Sequence, residues 1–197
     1  MQGYIDAKAR IFENQGPDDY FVVNKDDAPT WELAGRAKAA IVPFSRKEAL
    51  DFGAYVEDGT IVVKDKDGVV HPVCGAKELH IPGAHNLENA LAATAIAFCA
   101  GISVEVIARV LRDFAGVEHR LELVRVVDGV KYINDSKGTN VDSTIQAVRA
   151  MKRPTVLILG GYDKHTDFTP LCEEIVKNSI ADVVLIGATA KQCEETL

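Results

Sequence analysis

The sequence predicts an α/β fold in two parts, and three observations carry that expectation. The second half alternates short apolar runs with helical patterns, an order that implies a parallel sheet covered on both faces. The first half holds an alternating stretch, residues 51–73, broken by Asp58-Gly59 and Asp67-Gly68, both hairpin-turn dipeptides. Polar loops bearing lysines directly follow two apolar runs of the second half. In open α/β sheets, ligands gather outside the carboxyl ends of the strands.

In chain order, Tyr4, Ile5, Lys8, Ile11 and Phe12 fall at helical spacing, so the chain opens inside a helix and is expected to be a piece of a longer protein. Residues 20–24 read as a buried strand, residues 39–44 as a second, and residues 51–73 as a β-meander. Leu91, Ala95 and Phe98 stripe a helix over residues 87–100, which Gly101 ends. Ser103 can cap the next helix, residues 104–114. Gly116 to His119 is the expected hinge, giving domains 1–117 and 118–197. Beyond it, Asp128-Gly129 joins residues 121–127 and 130–134 into a hairpin. A helix (142–151), a strand (154–159) ending in Gly160-Gly161, a helix (169–178), a strand (182–186) and a last helix from Thr189 follow. Few strands are present, and more sheet is expected in the parent protein.

With 197 residues, 47% hydrophobic and 26% charged, the chain can bury a core. Its formal net charge of −7 carries no basic footprint for nucleic acid. No apolar run nears the roughly 20 residues that cross a bilayer, and the start has no signal-peptide pattern. None of the four cysteines forms a C-x-x-C pair, so free thiols in a reducing cytoplasm are expected and zinc is not. These features predict a cytoplasmic protein with neither nucleic-acid nor membrane partners.

Four polar clusters can carry chemistry. Asn134-Asp135-Ser136-Lys137-Gly138-Thr139-Asn140 follows one apolar strand, and Gly160-Gly161-Tyr162-Asp163-Lys164 follows the next. Lys137 and Lys164 can clamp a small carboxylate, Thr139 can add a hydrogen bond, and Asp135 can orient a ribose or another donor. The competing account is a pair of solvated turns with Asx-type bonding. His85-Asn86-Leu87-Glu88-Asn89 lies at a helix start, where Asn86 reads as an N-cap and Asn89 sits one turn in. His119-Arg120 lies at the hinge, where an arginine can bridge a nucleotide or simply face water. No G-x-x-x-x-G-K-[ST] and no G-x-G-x-x-G occurs, which excludes phosphate binding by those devices.

Taken together and in order, Tyr4-x-x-x-Lys8-x-x-Ile11-Phe12-Glu13-Asn14, His85-Asn86-x-x-Asn89-Ala90, His119-Arg120-x-Glu122, Asp135-Ser136-Lys137-Gly138-Thr139-Asn140 and Gly160-Gly161-x-Asp163-Lys164 resemble the Mur ligase family. The Asp135–Asn140 loop resembles that of its D-glutamate-adding members, with Gly138 at a position often occupied by alanine. The resemblance implies a partial central ATPase domain followed by a truncated Rossmann-like parallel-sheet domain. It implies an ATP-dependent carboxylate–amine ligase that joins D-glutamate to UDP-N-acetylmuramoyl-L-alanine through an acyl phosphate in peptidoglycan precursor synthesis, with ATP and Mg2+ required and the full-length enzyme a monomer. The chain, lacking a P-loop, is expected to be inactive by itself.

By the same resemblance Lys8, Lys137 and Lys164 are catalytic, Lys8 binding metal once carbamylated. Asn86, Asn89, Arg120 and Asp135 contact nucleotide, and Lys137, Thr139 and Lys164 surround D-glutamate. Two alternatives stand: a folylpolyglutamate synthetase-like ligase, against which the Asp135–Asn140 loop argues, and a non-catalytic nucleotide-binding α/β module, which the absent P-loop favours.

Overall fold

A computed structural model describes residues 2–162 and 166–197, divided into two compact units. One comprises the residues up to His80 together with His85–Phe114; the other comprises Ile81–Ala84 and Ala115–Leu197.

The first unit opens with α1 (Gln2–Ala9), which tightens into a 3-10 turn over Arg10–Phe12. Its sheet holds β1 (Tyr20–Asn24), β2 (Ala40–Ser45), β3 (Gly53–Glu57), β4 (Thr60–Lys64) and β5 (Val70–Gly75) in sequence order. The pairs β1–β2 and β2–β3 are parallel, and β3–β4 and β4–β5 antiparallel. Successive side chains of a strand face opposite ways, and that period sorts the core. Val42, Phe44, Ala54, Ile61 and Val63 meet Leu91 and Ala95 of α3 (Ala84–Cys99) and Ile107 and Ala108 of α4 (Val104–Asp113). The intervening Tyr55 and Val62 pack with Leu50, while Phe21 and Val23 pack with Ala34 of α2 (Ala28–Ala34). Ile61 and Leu91 are fully buried, each stabilising the unit by roughly 2–3 kcal/mol.

Helix α2 was not expected from the sequence. Asp27 caps it, accepting the Thr30 N–H at 3.1 Å, and Pro29 sits in its first turn. The two expected β-meander turns differ. Asp58 and Gly59, with φ of 47° and 77°, make the tight two-residue turn. The Asp67-Gly68 turn is wider, because Asp65 organises it: one carboxylate oxygen accepts the Asp67 and Val69 N–H groups, each at 2.9 Å, and the other meets His71 Nε2 at 2.8 Å.

The second unit begins with the hairpin of β6 (Glu122–Val127) and β7 (Val130–Asn134), turned at Asp128-Gly129. Then come α5 (Val141–Ala150), β8 (Thr155–Gly161), α6 (Thr169–Lys177), β9 (Ile180–Gly187) and α7 (Ala190–Thr196), with β8 and β9 parallel. Ile145, Val148, Leu171, Ile175 and Cys193 from the three helices pack on Leu157, Leu159, Val183 and Leu185. The alternate positions, Val156, Ile158, Val184 and Ile186, are 58%, 68%, 48% and 51% exposed. The expected covering of both sheet faces is therefore met on one face among the described residues: all three helices choose the same side of the strand pair.

Helices α5 and α6 are clamped by a two-pronged ion pair. Arg149 donates to Glu174 through Nε at 2.8 Å and Nη2 at 2.9 Å. These bonds hold the Glu174 carboxyl at about 2, against an ordinary 4.5. A lowered carboxylate pKa gives stability that is present above about pH 4.5 and is lost as pH falls towards 2. We expect the melting temperature of Glu174→Gln to fall less than that of the parent across that window, measured by thermal unfolding against pH. Parallel acid slopes for the two proteins would refute the clamp.

Candidate functional site

In the second unit, Arg120 sits on a segment with unusual backbone. His119 and Leu121 on either side of it have φ of 65° and 46°, a region side-chain-bearing residues adopt only when held there. Within it the Arg120 N–H donates to the Val117 C=O at 3.1 Å, and three further bonds hold it. Glu122 Oε2 accepts the His119 N–H at 2.8 Å, Asp135 Oδ1 accepts the Leu121 N–H at 3.0 Å, and His119 C=O accepts the Lys137 N–H at 2.9 Å. Asn134 adds another link, with Nδ2 at 2.9 Å from His119 Nδ1. The stretch carrying Arg120 and the loop carrying Asp135, Lys137 and Thr139 are thus laced together at the carboxyl end of β7.

The loop is built by its own short bonds. Gly138 N–H donates to Asp135 C=O at 2.7 Å and Thr139 N–H to Lys137 C=O at 2.9 Å. Asn140 caps α5, accepting the Ser143 N–H at 2.8 Å. Gly138 leaves room for the Asp135 carboxylate: a Cβ there would lie 2.7 Å from Asp135 Oδ2. Arg120, Lys137 and Thr139 are exposed, and among the described residues no carboxylate pairs with Arg120 or Lys137. A guanidinium and an ammonium with no carboxylate partner among the described residues suit anionic ligands.

The remaining candidates divide. Asn86 and Asn89 lie in the first unit, in the opening turns of α3. Because α3 begins at Ala84, Asn86 is not its N-cap as expected; it is buried inside the first turn and accepts from Asn89 Nδ2 at 3.3 Å. Asn89 is exposed. The turn is tied to the end of β2, where Arg46 donates to Glu88 at 2.7 Å and Asp26 accepts from Ser45 Oγ at 2.6 Å and the Arg46 N–H at 2.9 Å. Lys8 is exposed on α1, its Nζ 5.4 Å from the centre of the Tyr4 ring. Asp163 and Lys164 lie outside the described residues. Burial pushes all four thiols up, which makes them poor nucleophiles.

The supporting residues Glu122 and Asn134 were not singled out by role from the sequence. The one available signal was a carboxylate three residues after His119, within reach of its backbone.

Family models match both parts of the chain: the "Mur ligase middle domain" over residues 1–97 and the "Mur ligase, glutamate ligase domain" over residues 119–197. The chain belongs to the Mur ligase family. Among curated members, it is 49% identical over 199 residues to the UDP-N-acetylmuramoylalanine–D-glutamate ligase of Thermoanaerobacter sp. (strain X514), covering 100% of this chain and 43% of that protein. With the ligase of the same name from Clostridioides difficile (strain 630) it shares 44% identity, over 98% of this chain and 42% of the relative. The chain thus spans less than half the length of these Mur ligases. Among solved structures, MurF from Acinetobacter baumannii superposes with a TM-score of 0.77 at 22% identity, over 99% of this chain and 44% of that one. A Mycobacterium tuberculosis folylpolyglutamate synthase superposes with 0.64 at 15%, over 93% and 42%. At such identities these two likenesses establish the fold alone. No helix among the described residues is long and apolar enough to cross a membrane.

Proposed function

We propose that this chain carries part of the active site of a cytoplasmic ATP-dependent ligase that joins D-glutamate to UDP-N-acetylmuramoyl-L-alanine in peptidoglycan precursor synthesis. The observation that carries this reading is the lacing of Arg120 to the Asp135–Thr139 loop, in a chain whose curated relatives bear that ligase name. The first domain runs to residue 117 and the second begins at 118, three residues beyond the Phe114/Ala115 division between the compact units. Arg120, Asp135, Asn89 and Asn86 serve the nucleotide, Asn86 by fixing Asn89. Lys137, Thr139 and Lys164 receive the D-glutamate carboxylates.

In this reading the substrate carboxylate takes the terminal phosphoryl group of ATP, and the D-glutamate amine then displaces phosphate from the acyl carbon. Cationic side chains fixed before the reaction offset charge gathering on the phosphoryl oxygens. Mg2+ supplies the same offset when bound. Lys8, as a carbamate, would give it one oxygen-bearing ligand. Among the described residues no group of three His, Cys, Asp or Glu side chains could hold a metal ion.

The test is an assay of the protein produced from its full reading frame. Sustained ADP release, beyond one equivalent per enzyme, should require both UDP-N-acetylmuramoyl-L-alanine and D-glutamate. ADP release with a folate and L-glutamate instead would sink this reading in favour of the folate ligase.

A further inference from the structure

The hydrogen bonds of Asn134 fix the orientation of its amide. Its Oδ1 accepts the Ser136 N–H at 3.0 Å, so the other end, Nδ2, faces His119 Nδ1 at 2.9 Å. An amide nitrogen only donates, so His119 Nδ1 must accept and the ring proton must lie on Nε2. Glu122 Oε2 stands nearby, 3.5 Å from Asn134 Nδ2 and 3.5 Å from His119 Nδ1, and accepts the His119 backbone N–H at 2.8 Å. One side chain therefore spans from the β7 end to both flanks of the site: the His119–Leu121 stretch and the Ser136–Lys137 loop.

The strand register makes this possible. From the turn outward, Val127 pairs with Val130 and Arg125 with Tyr132; an unbroken ladder would set Glu122 opposite Asp135, two carboxylates face to face. A register shift between Leu123 and Arg125 sets Glu122 opposite Asn134 instead. It frees Asp135 to hold Leu121 and gives His119 a neutral donor.

We propose that Asn134 is a positioning residue, which sets the Nε2–H tautomer of His119 and through it fixes the strained segment that presents Arg120. The proposal deepens the ligase reading, on which only its kinetic consequence rests. The primary test needs no turnover: side-chain 15N NMR of the 197-residue chain in alkaline solution, where imidazole is neutral. His119 should carry its proton on Nε2. In Asn134→Asp, which keeps an acceptor for Ser136, the proton should move to Nδ1 to donate to the new carboxylate. Glu122→Gln should leave the tautomer as it is. A wild-type proton on Nδ1, no change in Asn134→Asp, or a switch in Glu122→Gln would each overturn the proposal.

Asn134→Ala removes both links, so Leu121 amide hydrogen exchange should quicken about tenfold; unchanged exchange would mean that Asn134 does not hold the Arg120 segment. In the protein from the full reading frame, Asn134→Ala should raise KM for ATP about tenfold with kcat within about twofold, and an unchanged KM overturns the link to nucleotide binding. Absence of wild-type ligase activity would sink the ligase reading while the NMR results still decide the role of Asn134.

Discussion

Gly160→Ala is expected to open the carboxyl end of the β8–β9 pair and destabilise the second unit by at least about 3 kcal/mol. Gly160 pairs with Ile186 and has a φ of 148°. A Cβ there would lie 1.8 Å from the Ile186 carbonyl oxygen and 2.7 Å from its carbonyl carbon. These are backbone atoms of the neighbouring strand, so no side-chain rotation relieves the overlap; the strands must part. Among the described residues the unit's main cluster holds six buried side chains and one sheet face is open, and small cores have little stability to lose. Gly161→Ala is the control. Its φ is similar, 144°, but nothing lies within 4 Å of its Cβ position, so its cost should stay near 1–2 kcal/mol. Denaturant unfolding of both variants checks the difference. Equal stabilities would mean that the close approach to Ile186 is not what selects glycine.

Much of this architecture was legible because periodicity and turn chemistry are local. Residues 20–24 and the Asp58-Gly59 and Asp128-Gly129 turns need only neighbouring residues to declare themselves. The miss of α2 has a physical cause: the helix has seven residues and one buried side chain, Ala34, too few to imprint a stripe. Its signal lay in the Asp27 cap and Pro29. The wide Asp65–Val69 turn was hidden because its organiser precedes the Asp-Gly dipeptide and acts through a side chain.

The site shows the same division. Lys137 and Thr139 could be placed on a strand-end loop from sequence. That His119 and Leu121 hold left-handed conformations could not, since neither is glycine and the bonds that stabilise them come from Glu122, Asp135 and Lys137. The role of Asn134 depends on a one-residue register shift, and the Asp-Gly turn alone predicts the unshifted ladder. Likewise, nothing in the strand sequences says that α5, α6 and α7 would all pack on one face; continuous apolar runs are compatible with either outcome.

Lys137→Met is expected to leave folding intact and to raise KM for D-glutamate about 10–100-fold, the equivalent of losing one charge-assisted bond of roughly 1.5–3 kcal/mol. The folding half follows from the loop. Lys137 is held by its backbone, its N–H on His119 C=O and its C=O accepting from Thr139. Its side chain is exposed, so removing the ammonium takes away no buried contact and should shift stability by less than about 0.5 kcal/mol. The binding half follows from charge: methionine keeps most of the length of the side chain and loses only the cation. Steady-state kinetics with D-glutamate and ATP varied in turn separate the possible roles. A raised KM for D-glutamate alone places the ammonium at the amino-acid carboxylate. A raised KM for ATP alone would assign Lys137 to the phosphates beside Arg120, and the proposed division of labour between guanidinium and ammonium would be wrong. If kcat fell by the same factor as kcat/KM, with both KM values unchanged, the ammonium would act on the transition state instead, offsetting charge on the phosphate as the amine displaces it.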